Sequence, residues 1–242
     1  MQELSPAARL AAWGGAALTG DVSLDDAADA VAGPHDPGHR LFGLDAEQGG
    51  VNLAYALGRL RADGARALRL VLPRPGDVGG LPGPPAFNEK AVARGEAVLT
   101  VGGPPQAILP EGRGAWTLHQ VVADKRTPLS LRDAERAMNQ VMREATQLLL
   151  SLDVARWEPA AAEVLLHQSA RATRPLLPST TSPQAHHVLT LSQRLLGIVE
   201  VARRSDGAAL TAAATAARAQ ALRELEAAAR HGLEAACSTP VG

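Results

Sequence analysis

Residues 128–138, PLSLRDAERAM, mark an abrupt change in the amino-acid composition of this chain, and this change decides the predicted fold. Most of the 23 Gly and 17 Pro lie before Ser130, whereas Ala, Leu, Arg and Glu in helical register dominate the sequence after it. Ser130 and Asp133 resemble a capping-box pair, which indicates that a long helix begins here. The pattern therefore predicts an α+β protein with a mixed first half and a helical second half.

The second half, residues 129–242, is predicted to form an antiparallel four-helix bundle packed against the first half. Glu158-Pro159 and Ser182-Pro183 indicate the starts of the second and third helices, and Asp206-Gly207 separates the third helix from the fourth. Aromatic residues make up only 2% of the chain, so small aliphatic side chains must fill the core and the helices must pack closely.

The first half, residues 1–128, is predicted to contain a largely antiparallel four-stranded sheet flanked by helices. Ser5-Pro6 and Ser23 indicate the starts of two of these helices, and another is predicted over about residues 52–61. A short helix is predicted over 86–94. The strands are predicted from their hydrophobic patterns and the Gly/Pro turns between them. They cover residues 67–72, 96–101, 106–109 and 115–123.

A Gly/Pro-rich loop, residues 73–85, holds five Pro and four Gly between a strand and a helix. Backbone N–H groups of such loops often bind phosphate, but the spacing of a P-loop or a dinucleotide fingerprint is absent. Each proline also removes an N–H donor. These features favour a structural or partner-facing loop. If the loop instead binds a ligand, the residues predicted to contact it are Arg74, Asp77, Asn88 and Lys90.

Metal and catalytic motifs are weak. His35-Asp36-Pro37-Gly38-His39 is the most metal-like cluster, with His119 and His186-His187 as further donors, but the sequence does not bring these histidines together. An ordinary turn with solvated histidines explains the cluster equally well. No nucleophile elbow occurs, and Cys237, the only cysteine, has no adjacent histidine. We therefore predict no metal, no cofactor and no catalytic residue, and leave open whether His35 and His39 bind a metal.

The composition of the chain indicates which kinds of partner and which cellular compartment to expect. The formal net charge is -1, which gives no global field to attract nucleic acid or anionic lipid. The first residues do not resemble a signal peptide, and no apolar run is long enough to span a membrane. We therefore expect a soluble cytoplasmic protein without nucleic-acid or membrane partners.

The last predicted helix is the best candidate for an interaction surface, through which a protein partner or a second copy of the chain would bind. Its small apolar residues form a long seam that comprises Leu210, Ala213, Ala217, Ala221, Leu225, Ala228 and Ala236. The leading hypothesis is a non-enzymatic protein-interaction or scaffold protein. The alternative is a small-molecule or phosphate-ligand binding protein, or an enzyme, that uses a cleft near residues 73–85.

Several short segments resemble a group of uncharacterised proteins from high-GC actinobacteria. They are Leu72-Pro73-x-Pro-Gly76-Asp77, Gly80-Leu-Pro-Gly-Pro84-x-Ala-Phe-Asn88, Gly95-Glu-Ala-Val-Leu99, Leu152-Asp-Val-Ala-Arg-Trp157 and Ala235-Ala-Cys-Ser238. The resemblance covers nearly the whole chain. The resemblance implies an actinobacterial lineage and a cytoplasmic compartment. It assigns no functional role to any residue of this chain.

Overall fold

The computed structural model describes residues 4–33, 38–44, 49–123, 129–151, 176–204 and 211–238. These residues form two compact units. The first unit comprises residues 4–123 together with 176–182 and 237–238, and the second comprises 129–151, 183–204 and 211–236, all within the described ranges.

Two helices of the first unit begin at the serines that the sequence indicates as their starts. The Ser5 hydroxyl accepts a hydrogen bond from the Ala8 N–H, and the Ser23 hydroxyl accepts one from the Asp26 N–H. Both predicted N-caps are thus confirmed. The helices are α1 (Pro6–Arg9), α2 (Gly15–Thr19), α3 (Leu24–Ala32), α4 (Leu53–Ala62) and α5 (Pro85–Arg94), and a π-helical segment (Leu10–Gly14) joins α1 to α2.

The sheet of the first unit is six-stranded and mixed, so the prediction of a largely antiparallel four-stranded sheet is wrong. Its strands are β1 (Arg40–Phe42), β2 (Val51–Asn52), β3 (Ala67–Val71), β4 (Ala97–Val101), β5 (Gln106–Gly112) and β6 (Ala115–Gln120). The order across the sheet is β2-β1-β6-β5-β4-β3. Strand β1 pairs parallel with β6, and the other neighbours pair antiparallel.

The two strands that the sequence did not predict are β1 and β2. They span only three and two residues, which is too short for an alternating pattern to be recognised. The parallel pairing of β1 with β6 joins segments far apart in the chain, and no local turn signals it. The four predicted strands are all present, and the predicted antiparallel connection of β4, β5 and β6 is confirmed.

The two faces of the sheet bury different sets of side chains. On one face Leu68 packs against Gly14 of the π-helical segment, where an added Cβ would lie only 2.7 Å from Leu68 Cδ1. On the other face α5 covers β3, β4 and β5 through Phe87 and Ala91, which pack against Leu99 and Leu109. This second face positions both candidate surfaces described below.

The edge strand β3 donates a hydrogen bond to a residue near the end of the described chain. The N–H of Leu70 donates to the Ser238 hydroxyl oxygen over 2.8 Å. This contact satisfies one of the backbone donors that an edge strand would otherwise expose.

The second unit is helical, with α6 (Leu131–Ser151), α7 (Pro183–Arg204) and α8 (Ala212–Cys237, of which the unit includes residues up to 236). The Ser130 hydroxyl accepts a hydrogen bond from the Asp133 N–H, which confirms the predicted start of α6. The three helices meet where the Ser192 hydroxyl lies 3.4 Å from Met138 Sδ, beside Gly232. The predicted bundle helix that starts at Glu158-Pro159 lies outside the described residues.

Candidate functional site

Two of the four predicted ligand residues, Arg74 and Asp77, lie together in the 73–85 loop. Their backbones exchange hydrogen bonds of 2.8 and 2.9 Å around a tight turn in which Gly76 has a φ of +84°. The Arg74 guanidinium donates to the Gly95 carbonyl oxygen rather than into the loop. The backbones of Arg74 and Asp77 thus bond to each other within the loop, and the Arg74 side chain is engaged outside it.

Asn88 lies elsewhere, on the outward side of α5. Its side-chain oxygen accepts a hydrogen bond of 3.0 Å from the N–H of Gly83, which ties the end of the loop to the first turn of α5. Lys90 lies on a third part of the surface, near His119 of β6. The structure thus brings together only Arg74 and Asp77 of the predicted set, and the ligand-binding role of all four stays a prediction.

A shallow groove of about 510 Å³ runs along the outward side of α5, and we call it the α5 groove. Its lining consists of Val78, Pro85, Asn88, Glu89, Val92 and Ala93. Most of the exposed lining is apolar, and Val78 is 51% exposed. The groove is open to solvent and lacks the several convergent polar groups that are typical of a small-molecule site.

The opposite side of α5 borders a polar surface on β5 and β6, which we call the basic face; it comprises Lys90, Arg94, Glu111, Thr117 and His119. Glu111 forms an ion pair with Arg94 and accepts a hydrogen bond of 2.8 Å from the Thr117 hydroxyl. Thr117 Oγ1 in turn lies 3.1 Å from His119 Nε2. The antiparallel register places Thr117 and His119 opposite Leu109 and Ala107, which point toward α5.

His119 is the titratable centre of the basic face. Partial burial lowers the pKa of His119 below its ordinary value, and the nearby Lys90 charge lowers it further, whereas Glu111 acts in the opposite direction. The imidazole also packs against Phe87 of α5, with ring centroids 5.7 Å apart. At neutral pH His119 is therefore a neutral hydrogen-bonding group beside an exposed lysine.

His39, the described histidine of the candidate metal cluster at residues 35–39, has a structural role. His39 is buried, and its Nδ1 accepts a hydrogen bond of 3.1 Å from the Trp116 indole N–H. That nitrogen is therefore engaged within the fold. The described residues contain no group of three His, Cys, Asp or Glu side chains that could hold a metal ion, and His35 and Asp36 lie outside them.

Glu96 is a buried carboxylate that the sequence did not single out. It accepts hydrogen bonds from the Ser5 hydroxyl and the Ala7 backbone N–H, and it thereby caps the start of α1. Burial raises the pKa of Glu96 above its ordinary value and outweighs the opposing effects of these hydrogen bonds, Arg74 and Arg9. Glu96 Oε2 and Arg9 Nε are both buried without a hydrogen-bond partner among the protein atoms described.

Replacing Glu96 with glutamine is expected to stabilise the protein increasingly as the pH rises. Because the native pKa of Glu96 lies above the ordinary value of 4.5, the stability that its protonated form contributes is full below that value and is lost as the pH rises through the native pKa. Urea unfolding of both proteins at about pH 4 and about pH 7 measures the difference. The exposed Glu89→Gln serves as the control, and equal differences at both pH values would contradict the assignment.

Cys237 is predicted to be chemically inert in the native state. The residue is buried, and burial raises the pKa of its thiol to about 12, so the reactive thiolate is scarce at neutral pH. A disulfide reagent such as Ellman's is expected to label the unfolded chain in guanidinium chloride rapidly and the native chain only at the rate of unfolding. Rapid stoichiometric labelling of the native protein would show that the thiol is accessible.

The seam predicted on the last helix is largely covered within the chain. Ala221, Leu225, Ala228 and Ala236 of this seam are buried, Ala217 is half-buried and Ala213 is exposed, whereas Leu210 lies outside the described residues. Binding of a partner or a second copy through this helix stays a prediction. Among the described residues, no helix combines the length and the apolar character that a membrane span requires.

Fold and surface together define a protein with an α+β unit and a helical unit, and comparison with known proteins identifies the family. The model described as "Rv1486c-like protein, N-terminal domain" matches residues 7–131, and "Rv1486c-like protein, C-terminal domain" matches residues 132–234. The chain therefore belongs to the Rv1486c-like protein family. These descriptions name no activity, which agrees with the predicted membership of an uncharacterised family. No curated protein and no solved structure matches the chain.

Proposed function

We propose that the protein is a non-enzymatic protein-interaction or scaffold protein whose α5 groove binds an extended segment of a partner protein. The observation that carries the proposal is the groove itself, which is open, mainly apolar and about 510 Å³ in volume. Apolar surface gains free energy when it is removed from water, so a cluster of exposed apolar side chains favours a partner that covers it.

The shape and lining of the groove favour an apolar side chain as the anchor. Val78 of the 73–85 loop and Val92 and Ala93 of α5 all line the groove, so two segments of the chain contribute apolar side chains to it. Its one amide, Asn88, already accepts a hydrogen bond from Gly83. A leucine, isoleucine or aromatic side chain of the partner would fill this space and act as the hot spot of the interface.

Charge complementarity suggests what should flank that anchor. Glu89 lines the groove, is exposed and forms no ion pair with another described residue. A Lys or Arg of the partner beside Glu89 would match this negative charge and orient the segment. The proposed partner segment therefore combines an apolar anchor with a neighbouring basic residue.

The alternative function, a small-molecule or phosphate-ligand binding protein or an enzyme that uses the 73–85 loop, has less support. Arg74 and Asp77 form a closed turn, and Asn88 is engaged with Gly83, so the loop presents few polar groups that converge on one point. A cytoplasmic location, an actinobacterial origin and the absence of nucleic-acid and membrane partners remain parts of the proposal.

Selection from a phage-displayed library of random peptides against the full chain tests the proposal. Enriched peptides are expected to carry a large apolar residue next to Lys or Arg. Val78→Glu is expected to weaken their binding by at least about tenfold, which corresponds to about 1.4 kcal/mol. The matched control is Val101→Glu, because Val101 is another exposed valine, 45% exposed, at the end of β4.

Two results would overturn the proposal. One is a selection that enriches no peptide, and the other is equal weakening by Val78→Glu and Val101→Glu. Glu89→Lys adds a specific check, because it is expected to disfavour the basic peptides and to favour peptides with an acidic residue beside the anchor.

A further inference from the structure

A second binding surface lies on the basic face, on the side of α5 opposite the groove. Helix α5 covers β3, β4 and β5, and the same face of the sheet continues beyond it with Thr117 and His119 of β6. Lys90 of α5 is exposed at this border, one helical turn after Phe87, whose ring packs against His119 with centroids 5.7 Å apart. Helix α5 therefore leaves a polar strip of the sheet, formed by Thr117 and His119, accessible beside the helix.

The charges of the basic face are unbalanced toward the positive. Glu111 is the carboxylate within this group, and it is already engaged by Arg94 and by the Thr117 hydroxyl. Lys90 has no carboxylate partner among the described residues, and its charge acts on His119 instead. An anion between Lys90 and His119 would balance the Lys90 charge and favour the protonated form of His119, so that each of the two side chains could donate a charge-assisted hydrogen bond to it.

An exposed aromatic ring lies on β1, the strand next to β6. Phe42 of β1 is the register partner of Thr117 in the parallel pair, so its side chain lies on the same face of the sheet. The ring is 41% exposed, although it also packs against Gly50, where an added Cβ would lie 2.6 Å from it. His119 stands two residues along β6 from Thr117, so the spacing of neighbouring strands and the rise per residue put the Cα atoms of Phe42 and His119 roughly 8 Å apart.

We propose that the basic face binds a phosphate monoester, with Lys90 and His119 contacting the phosphate group and Phe42 contacting a flat organic ring of the ligand. A phosphate monoester carries close to two negative charges near neutral pH and offers three strong acceptor oxygens. An aromatic side chain provides a large contact area for a planar ring at a small cost in conformational entropy. Nucleotides belong to this chemical class.

NMR titration of the full chain tests the site, with the His119 ring signals as the reporter. The probes are inorganic phosphate, ribose 5-phosphate and adenosine 5′-monophosphate, and potassium chloride at equal ionic strength is the control. We expect saturable changes with all three phosphates and the tightest binding for the nucleotide. Phosphate binding is also expected to raise the pKa of His119, because a dianion beside the imidazole favours its protonated form.

Three variants separate the parts of the proposal. Lys90→Met is expected to weaken the binding of all three phosphate compounds by at least about tenfold. Arg66→Met removes an equal charge elsewhere on the first unit and is expected to change these affinities by less than about twofold. Phe42→Ala is expected to reduce the affinity for the nucleotide to that for ribose 5-phosphate and to leave the affinity for inorganic phosphate unchanged.

The site would be ruled out if the phosphates changed the His119 signals no more than potassium chloride does, or if Lys90→Met and Arg66→Met behaved alike. Equal binding of the nucleotide and ribose 5-phosphate by the wild type would remove the role of Phe42. Lys90 is exposed, so its substitution is expected to leave the fold intact, and the circular dichroism spectrum checks this.

Discussion

Replacing Trp116 with alanine is expected to lower the free energy of unfolding by about 3–5 kcal/mol. Trp116 is only 1% exposed, and its ring lies 5.6 Å from that of His39. Removing the indole leaves a large cavity and also removes the donor that His39 Nδ1 accepts from. Urea unfolding followed by circular dichroism measures the loss.

Two further variants divide this loss into its parts. Trp116→Phe keeps most of the buried ring but removes the N–H, and it is expected to cost about 1–3 kcal/mol because His39 Nδ1 loses its partner. Trp13→Phe is the matched control, since Trp13 is only partly buried and donates a longer hydrogen bond, 3.3 Å, to the Leu176 carbonyl oxygen. If Trp116→Ala cost no more than Trp13→Phe, the buried pair would not stabilise the sheet.

Replacing Gly232 with leucine is expected to destabilise the helical unit by about 3 kcal/mol or more. An added Cβ at this position would lie 2.4 Å from Ser192 Oγ and 2.8 Å from Met138 Sδ. Both neighbours are buried, so the three helices must separate to accommodate the larger side chain. The loss is measured by thermal unfolding followed at 222 nm, the ordinary helix signal.

Gly15→Ala in α2 provides the control for helix propensity. Its added Cβ would lie 3.7 Å from the nearest atom, the Leu68 N, which is an ordinary contact. This change is therefore expected to stabilise the protein by roughly 0.5–1 kcal/mol. Stabilisation by Gly232→Leu as well would contradict close packing of the three helices.

Features determined by neighbouring residues could be predicted from the sequence. The N-caps at Ser5, Ser23 and Ser130 depend on hydrogen bonds to N–H groups three residues ahead, and all three are present. The strands β3 to β6 are long enough to show a hydrophobic pattern between Gly/Pro turns. Helix α5 was predicted over residues 86–94, one residue short of its observed start.

Features that join distant segments could not be predicted in the same way. The parallel pairing of β1 with β6 and the contact between His39 and Trp116 link residues more than seventy positions apart, and no local pattern encodes either. Glu96 caps α1 from the start of β4, so its partner is also distant in sequence. Without these links the sheet was predicted to be two strands too small.

The candidate surfaces show the same division. The sequence singled out Asn88 and Lys90, but α5 turns them to different sides, toward the groove and toward the basic face. No local sequence pattern marks Glu111 and Thr117 as part of a site, because the register of β5 and β6 is what brings them together. A helical projection of α5 combined with the strand register would have grouped Lys90 with His119.

Mapping the chemical shifts of the full chain on titration with the most enriched library peptide tests the proposed interaction surface most directly. The proposal predicts that the largest backbone changes fall on Val78, Asn88, Val92 and Ala93, and that the changes disappear in Val78→Glu. Changes centred instead on α8, or on the basic face around His119, would contradict the assignment of the α5 groove as the interaction surface.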